Sequence, residues 1–165
     1  MRQKRNFLWL VMILGVTIAS VAPANEIATP VAVDSTPTIE WEELVKAWKA
    51  SADQKKPLLI FLTMDSCRMC EKMKRDTLIH PDIVKNVTNS FVAVQVDRKD
   101  ALALVRKTRV RKFPTTLIIE PHGKVLDSIT GYRKPAEFLT RLETASRKAA
   151  LAERTARRES SAQKK

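Results

Sequence analysis

The sequence predicts an α/β domain in which a mixed central sheet carries helices on both faces. Three observations predict it. The run Pro57 to Leu62 is short and almost wholly apolar, as in a strand covered on both sides. Phe91 to Val96 is a second β-rich run, and the helix-compatible sequence between the two makes them a parallel crossover pair. Thr115 to Ile119 and Val125 to Thr130 flank Pro121-His122-Gly123-Lys124, a turn in which Gly123 supplies positive φ, so the last two strands are antiparallel.

The helices follow from period and punctuation. Trp41, Leu44, Val45 and Trp48 fall at i, i+3, i+4 and i+7, one stripe of a first helix facing the sheet. After the first strand, Glu71 to Leu78 continues a helix with Met69, Met73 and Thr77 inward, until His80-Pro81 interrupts it. Asp82 can then cap a short piece from Ile83 to Val87. Ala101 to Arg106 is apolar enough for a short helix through Leu102, Leu104 and Val105. Pro135 opens a last helix, Ala136 to Ala150, with Phe138, Leu139 and Leu142 on one face.

The chain divides into residues 1–24, 25–39, 40–142 and 143–165 of its 165. The first segment reads as an export signal: Arg2, Lys4 and Arg5 form a charged head, Phe7 to Ala22 is uncharged and apolar, and Ala22-Pro23-Ala24 is a small-x-small cleavage pattern. An uncleaved membrane anchor is the rival, although 16 apolar residues fall short of the ~20 of a spanning helix. Either reading places the domain outside the cytoplasm, periplasmic or secreted, with membrane association only if the segment stays attached. Pro30 and Pro37 among small residues mark 25–39 as a flexible tether. The ~100 residues of 40–142 suffice for one core. Residues 143–165 carry seven Lys or Arg against three acids and few large apolar side chains, a basic tail that is helical or disordered. The formal net charge of +12 falls to +9 without the first segment; solvated charge explains it better than nucleic acid, which an exported protein seldom meets.

The two cysteines, Cys67 and Cys70, form Cys67-Arg68-Met69-Cys70 between the apolar strand and the helix that follows. A thiol at a helix start meets unpaired N–H groups and the positive end of the macrodipole, which favour thiolate, the nucleophilic form. Cys67 is therefore the candidate nucleophile and Cys70, one turn on, the resolving partner; Arg68 favours the thiolate further. Asp65 either opposes that effect, accepts a proton, or, like Ser66, caps the helix. An inert strut and a mixed metal site with His80 and His122 are the other readings, though the spacing matches no zinc finger and no metal or other cofactor is expected. Arg106, Lys107, Arg109, Arg111 and Lys112 crowd the approach to Phe113-Pro114, either as a solvated loop or as a surface that steers acidic substrates.

With Lys56 to Leu62, Cys67 to Met73, Val94 to Asp97, Phe113-Pro114-Thr115-Thr116, Gly123-Lys124-Val125 and Gly131-Tyr132 in that order, the chain from about Trp41 to Leu142 resembles the thioredoxin superfamily, in particular exported thioredoxin-like proteins akin to the periplasmic domains of disulfide-interchange proteins. The resemblance implies a thioredoxin-like fold and thiol:disulfide oxidoreductase activity. It also implies a cis Pro114 opposite the disulfide and a substrate-binding segment Phe113, Pro114, Thr115. The implied partners are protein disulfide substrates and a thiol-disulfide electron partner. Three departures set the chain apart from cytoplasmic-type thioredoxins: Ser66 where relatives carry Trp, Phe61 where they bury an acid, and Arg68-Met69 in place of Gly-Pro. A non-catalytic binding module with a structural cysteine pair is the alternative.

Overall fold

A computed structural model describes residues 38–162. The expected export segment, and the tether up to residue 37, lie outside the described residues. The elements run α1 (Leu44–Gln54), β1 (Leu58–Thr63), α2 (Arg68–Asp76), α3 (Pro81–Ser90), β2 (Val92–Asp97), a 3-10 turn (Arg98–Ala101), α4 (Leu102–Thr108), β3 (Thr115–Ile119), β4 (Val125–Thr130) and α5 (Pro135–Ala162). The four strands lie in the order β2-β1-β3-β4. β1 pairs parallel with β2 and antiparallel with β3, and β3 pairs antiparallel with β4. This is the mixed sheet that the sequence predicts. Among the described residues no helix is long and apolar enough to cross a membrane.

Central position explains the apolarity of β1, every residue of which is buried. Its side chains alternate between two cores. Leu59 and Phe61 face one with Cys70 and Met73 of α2, Ile83, Val84 and Val87 of α3, and Phe138, Leu142 and Ala145 of α5. Leu58, Ile60 and Leu62 face the other, under α1 and α4, with Ala47 and Ala101. Helices thus cover both faces.

The helix boundaries and stripes differ from expectation in places, each for a local reason. Residues before α1 run beside β2, with the Glu42 amide donating to the Ala93 carbonyl at 2.8 Å, so the helix starts only at Leu44. Its inward line becomes Leu44, Ala47, Trp48 and Ser51; Trp41 and Val45 are exposed, and the Trp41 ring lies tilted against that of Phe61 at 6.4 Å. α1 ends where Lys55 turns left-handed at φ 55, and the Ser51 hydroxyl donates to the Lys56 carbonyl at 2.6 Å. In α2, Cys70, Met73 and the following Thr77 point inward and Met69 outward, because the buried line starts at Cys70. Pro81 takes the first position of α3, so the cap falls on His80 and Asp82 is a first-turn acid rather than the cap. The loop after β2 makes a 3-10 turn first, capped by the Asp97 carboxylate on the Lys99 amide, so α4 runs from Leu102 to Thr108 with Leu102 itself exposed.

The last helix runs beyond Ala150 to Ala162. No Gly or Pro interrupts its Ala-, Arg- and Glu-rich sequence. Glu153 accepts from Arg157 one turn on, at 2.9 Å, and reaches back to Lys55 at 3.5 Å.

Candidate active site

Strand register brings the site together. Leu62 of β1 lies opposite Thr115 of β3, and Thr63 opposite Asp97 of β2. The exit of β1, the exit of β2 and the entry to β3 therefore share one end of the sheet. From that exit, Met64, Asp65 and Ser66 lead to Cys67, and Ser66 adopts a left-handed φ of 56° that turns the chain into α2.

Cys67 is itself the N-cap of α2. Its carbonyl accepts from the amides of Cys70 and Glu71, and its sulfur accepts from the Cys70 amide at 3.1 Å. The expected capping role of Asp65 or Ser66 is therefore displaced by the cysteine. The two sulfurs are joined in a disulfide, S–S 2.06 Å, with the Cα atoms 5.2 Å apart. Cys70 is wholly buried among Met73 and Phe61, while Cys67 is partly exposed at the edge of the same cluster. Of the pair, only Cys67 is accessible to solvent.

The Phe113-Pro114 peptide is cis. Pro114 is buried and its carbonyl accepts from the Gly131 amide at 2.7 Å. Phe113 is half-buried and packs against both cores, including the cluster that takes Cys67. It belongs to no helix or strand, and its amide and carbonyl have no backbone partner among the described residues. Thr115 is buried, and its hydroxyl donates to the Lys112 carbonyl at 2.7 Å, so its side chain serves the loop. Of the three residues expected to meet substrate, Phe113 keeps an open surface.

The possible modulators part company. Asp65 is exposed and ion-paired with Lys99 at 3.1 Å; its carboxylate holds the Lys99 ammonium above the usual lysine range, by hydrogen bond first and charge second. Arg68 stands exposed in the first turn of α2 with no ion-pair partner among the described residues. His80 caps α3, and His122 lies in the β3–β4 turn, at the end of the sheet away from Cys67, so the two histidines do not converge on the sulfurs.

Two contributors carried no assigned role in the sequence. Lys99 lies 34 residues from Asp65, and only the parallel register of β1 with β2 makes them neighbours. The Gly131-Tyr132 loop holds Pro114 through its amide, and Tyr132 packs against the cluster that takes Cys67. Lys72 of α2 sits over the Tyr132 ring at 4.9 Å, and the buried Thr77 hydroxyl donates to the Arg133 carbonyl at 2.6 Å. The motif Gly131-Tyr132 is visible in the sequence; its contact with α2 is not.

A family model described as the thioredoxin-like domain matches residues 44–146. The chain belongs to this family. Among solved structures it is similar to the DsbH oxidoreductase, at 21% identity over 75% of this chain and 95% of that one with a TM-score of 0.60. It is similar also to a thioredoxin from Thermus thermophilus, at 21% identity over 65% and 86% with a TM-score of 0.60. The reduced DsbD C-terminal domain of Neisseria meningitidis matches at 22% identity over 61% and 96%, with a TM-score of 0.50. At these identities the likeness speaks to fold. No curated protein matches the chain. A thioredoxin-like domain with a closed CxxC disulfide and a cis-proline segment at the same end of the sheet supports thiol-disulfide oxidoreductase chemistry.

Proposed function

We propose that this protein is a thiol:disulfide oxidoreductase of the cell envelope that exchanges disulfides in exported proteins through Cys67 and Cys70. The observation that carries the reading is the asymmetry of the pair: one cysteine partly exposed at the N-terminus of α2, the other buried one turn on, with a segment of open backbone at the same end of the sheet. In the reduced protein the Cys67 thiolate attacks one sulfur of a substrate disulfide, forming a mixed disulfide and releasing the first substrate thiolate. The Cys70 thiolate then attacks the Cys67 sulfur, closing Cys67–Cys70 and releasing the second. Two electrons pass from enzyme to substrate, and the reverse sequence oxidises a substrate dithiol. The Cys70 amide, which donates to the Cys67 sulfur, and the N-terminus of α2 stabilise the thiolate that attacks. The Phe113 amide and carbonyl hold an extended substrate by strand addition.

The envelope location rests on residues 1–24 acting as an export signal, with 25–39 as tether, 40–142 as catalytic domain and 143–165 as a basic extension.

Insulin reduction by dithiothreitol tests the activity. Wild-type protein accelerates precipitation of the insulin chains and Cys67→Ser does not, while both give the same folded circular dichroism spectrum. Equal turbidity rates with the two proteins would make the domain a binding module with a structural cysteine pair.

A further inference from the structure

Between Asp100 and Glu120 the chain has five cations and no acid: Arg106, Lys107, Arg109, Arg111 and Lys112. Two of them have a local structural use. Arg106 and Lys107 occupy the last turn of α4, where positive charge offsets the negative end of the helix dipole. Arg109, Arg111 and Lys112 lie past the end of the helix, are exposed, and form no ion pair among the described residues. Elsewhere on the surface cations do find carboxylates one turn away: Lys46 with Glu43, Lys72 with Asp76, Lys74 with Glu71, Arg157 with Glu153. The two acids nearest the cysteines in sequence, Glu71 and Asp65, are already committed to Lys74 and Lys99.

The position of these charges gives them a use. Arg111 and Lys112 run directly into Phe113, whose backbone is open, and the Lys112 carbonyl is fixed by the Thr115 hydroxyl. Arg68 follows Cys67 as the first, exposed residue of α2, at the end of the sheet where β3 begins. A peptide laid along Phe113 with its disulfide at Cys67 must place the residues flanking its cysteine over uncompensated positive charge. From this placement we infer that the protein selects disulfide substrates whose cysteine is flanked by acidic residues, with Arg111 and Lys112 as the principal cations and Arg109 and Arg68 bordering them. The inference rests on the disulfide-exchange reading above and names its substrate class.

Opposite charge at such a rim acts on encounter more than on residence, and oriented fields of this kind raise association rates by about 10- to 1,000-fold at low salt. The field fades as the screening length drops from about 30 Å in dilute salt to a few ångströms near 1 M.

The test uses the full-length protein, reduced in advance and freed of reductant, mixed with either of two peptides that share one disulfide and differ only in the flanking residues, Asp and Glu in one, Lys in the other. Acid quenching and chromatography give the second-order rate at about 20 mM and about 0.5 M sodium chloride. The acidic peptide should be reduced at least about tenfold faster in dilute salt, with the ratio falling to within about twofold in concentrated salt. The double substitution R111E/K112E should invert the preference. Should that variant not fold, the wild-type salt dependence decides alone. Equal low-salt rates for two peptides that are both reduced overturn the acidic preference and leave disulfide exchange standing. Failure to reduce either peptide, together with failure of the oxidised protein to oxidise the dithiol form of either, removes exchange itself, and the preference with it. Absence of preference together with sedimentation on vesicles containing phosphatidylglycerol would make the rim a membrane contact and also overturn the inference.

Discussion

The two faces of the sheet are packed differently, and the difference divides the labour of the molecule. The face under α2, α3 and α5 gathers sixteen buried residues among those described and the other nine, so the first is the main core. Its helices contribute large side chains: Met73, Ile83 and Phe138 are all but inaccessible. On the second face the helical elements bury little beyond Ala47, Ser51 and Ala101, and α4 has no buried residue at all. The cysteines belong to the first face and the cationic segment after α4 to the second, with Phe113 touching both. A redox pair benefits from a rigid helix, because Cys70 must stay within reach of Cys67 in both oxidation states. A rim that meets varied peptides has no such need, and shallow packing suits it.

The largest test of this contrast is truncation on each face. Phe138→Ala removes a fully buried ring from the main core and should cost about 3–5 kcal/mol in urea unfolding. Leu104→Ala removes a half-buried side chain beneath α4 and should cost about 1 kcal/mol or less. Similar losses at the two positions would mean that the faces carry equal weight.

That contrast is only partly legible in the sequence. The central strand declares itself because Leu58 to Leu62 must be apolar on both sides, and the β3–β4 hairpin because Gly123, at φ 90, marks its turn. The cysteines and their helix are equally local. What the sequence hides depends on neighbours distant in the chain. Trp41 and Val45 fit a helical stripe, yet the bond from Glu42 to Ala93 holds the preceding residues extended and rotates the buried line onto Ala47 and Ser51. Asp65 looks like a cap, yet Ser66 turns left-handed and hands that role to Cys67, leaving the carboxylate to Lys99. Local pattern reveals which elements form; register decides which side chains meet.

A middle-sized effect concerns how the main core is fastened to its edge strand. Asp127 of β4 and Arg141 of α5 form a two-point pair, with the guanidinium Nε donating to Oδ2 at 2.8 Å and a second, shorter bond to Oδ1. Burial alone would raise the Asp127 carboxyl, but the Arg141 hydrogen bond and charge, helped by the Ser128 amide, outweigh it and hold the group below the usual carboxylate range. A carboxyl depressed in the folded state stabilises above its unfolded value, near 4, and that contribution is lost as pH falls through the folded value. Asp127→Asn should therefore lower stability at pH 7 by about 1 kcal/mol, a modest figure because the guanidinium is partly in water. The gap between variant and wild type should close progressively below about pH 4. A gap that persists unchanged at pH 3 would assign the loss to packing rather than charge.

The smallest effect separates a positioning role at the exit of β1 from a purely decorative one. Lys99 and Asp65 are both well exposed, so Lys99→Met should leave the unfolding midpoint within experimental error. Its consequence lies two residues away. Without the ammonium, the Asp65 carboxylate is uncompensated at the approach to Cys67 and disfavours the thiolate. Alkylation of the reduced protein by iodoacetamide at neutral pH should slow by about twofold, with wild-type rates restored in Asp65→Asn/Lys99→Met, since removing both charges removes the imbalance. Cys67 should remain the faster-labelled sulfur throughout. A rate unchanged in the single variant would mean that Asp65 and Lys99 brace only the loop between β1 and α2, and that the reactivity of Cys67 comes from the N-terminus of α2 without help from the exit of the sheet.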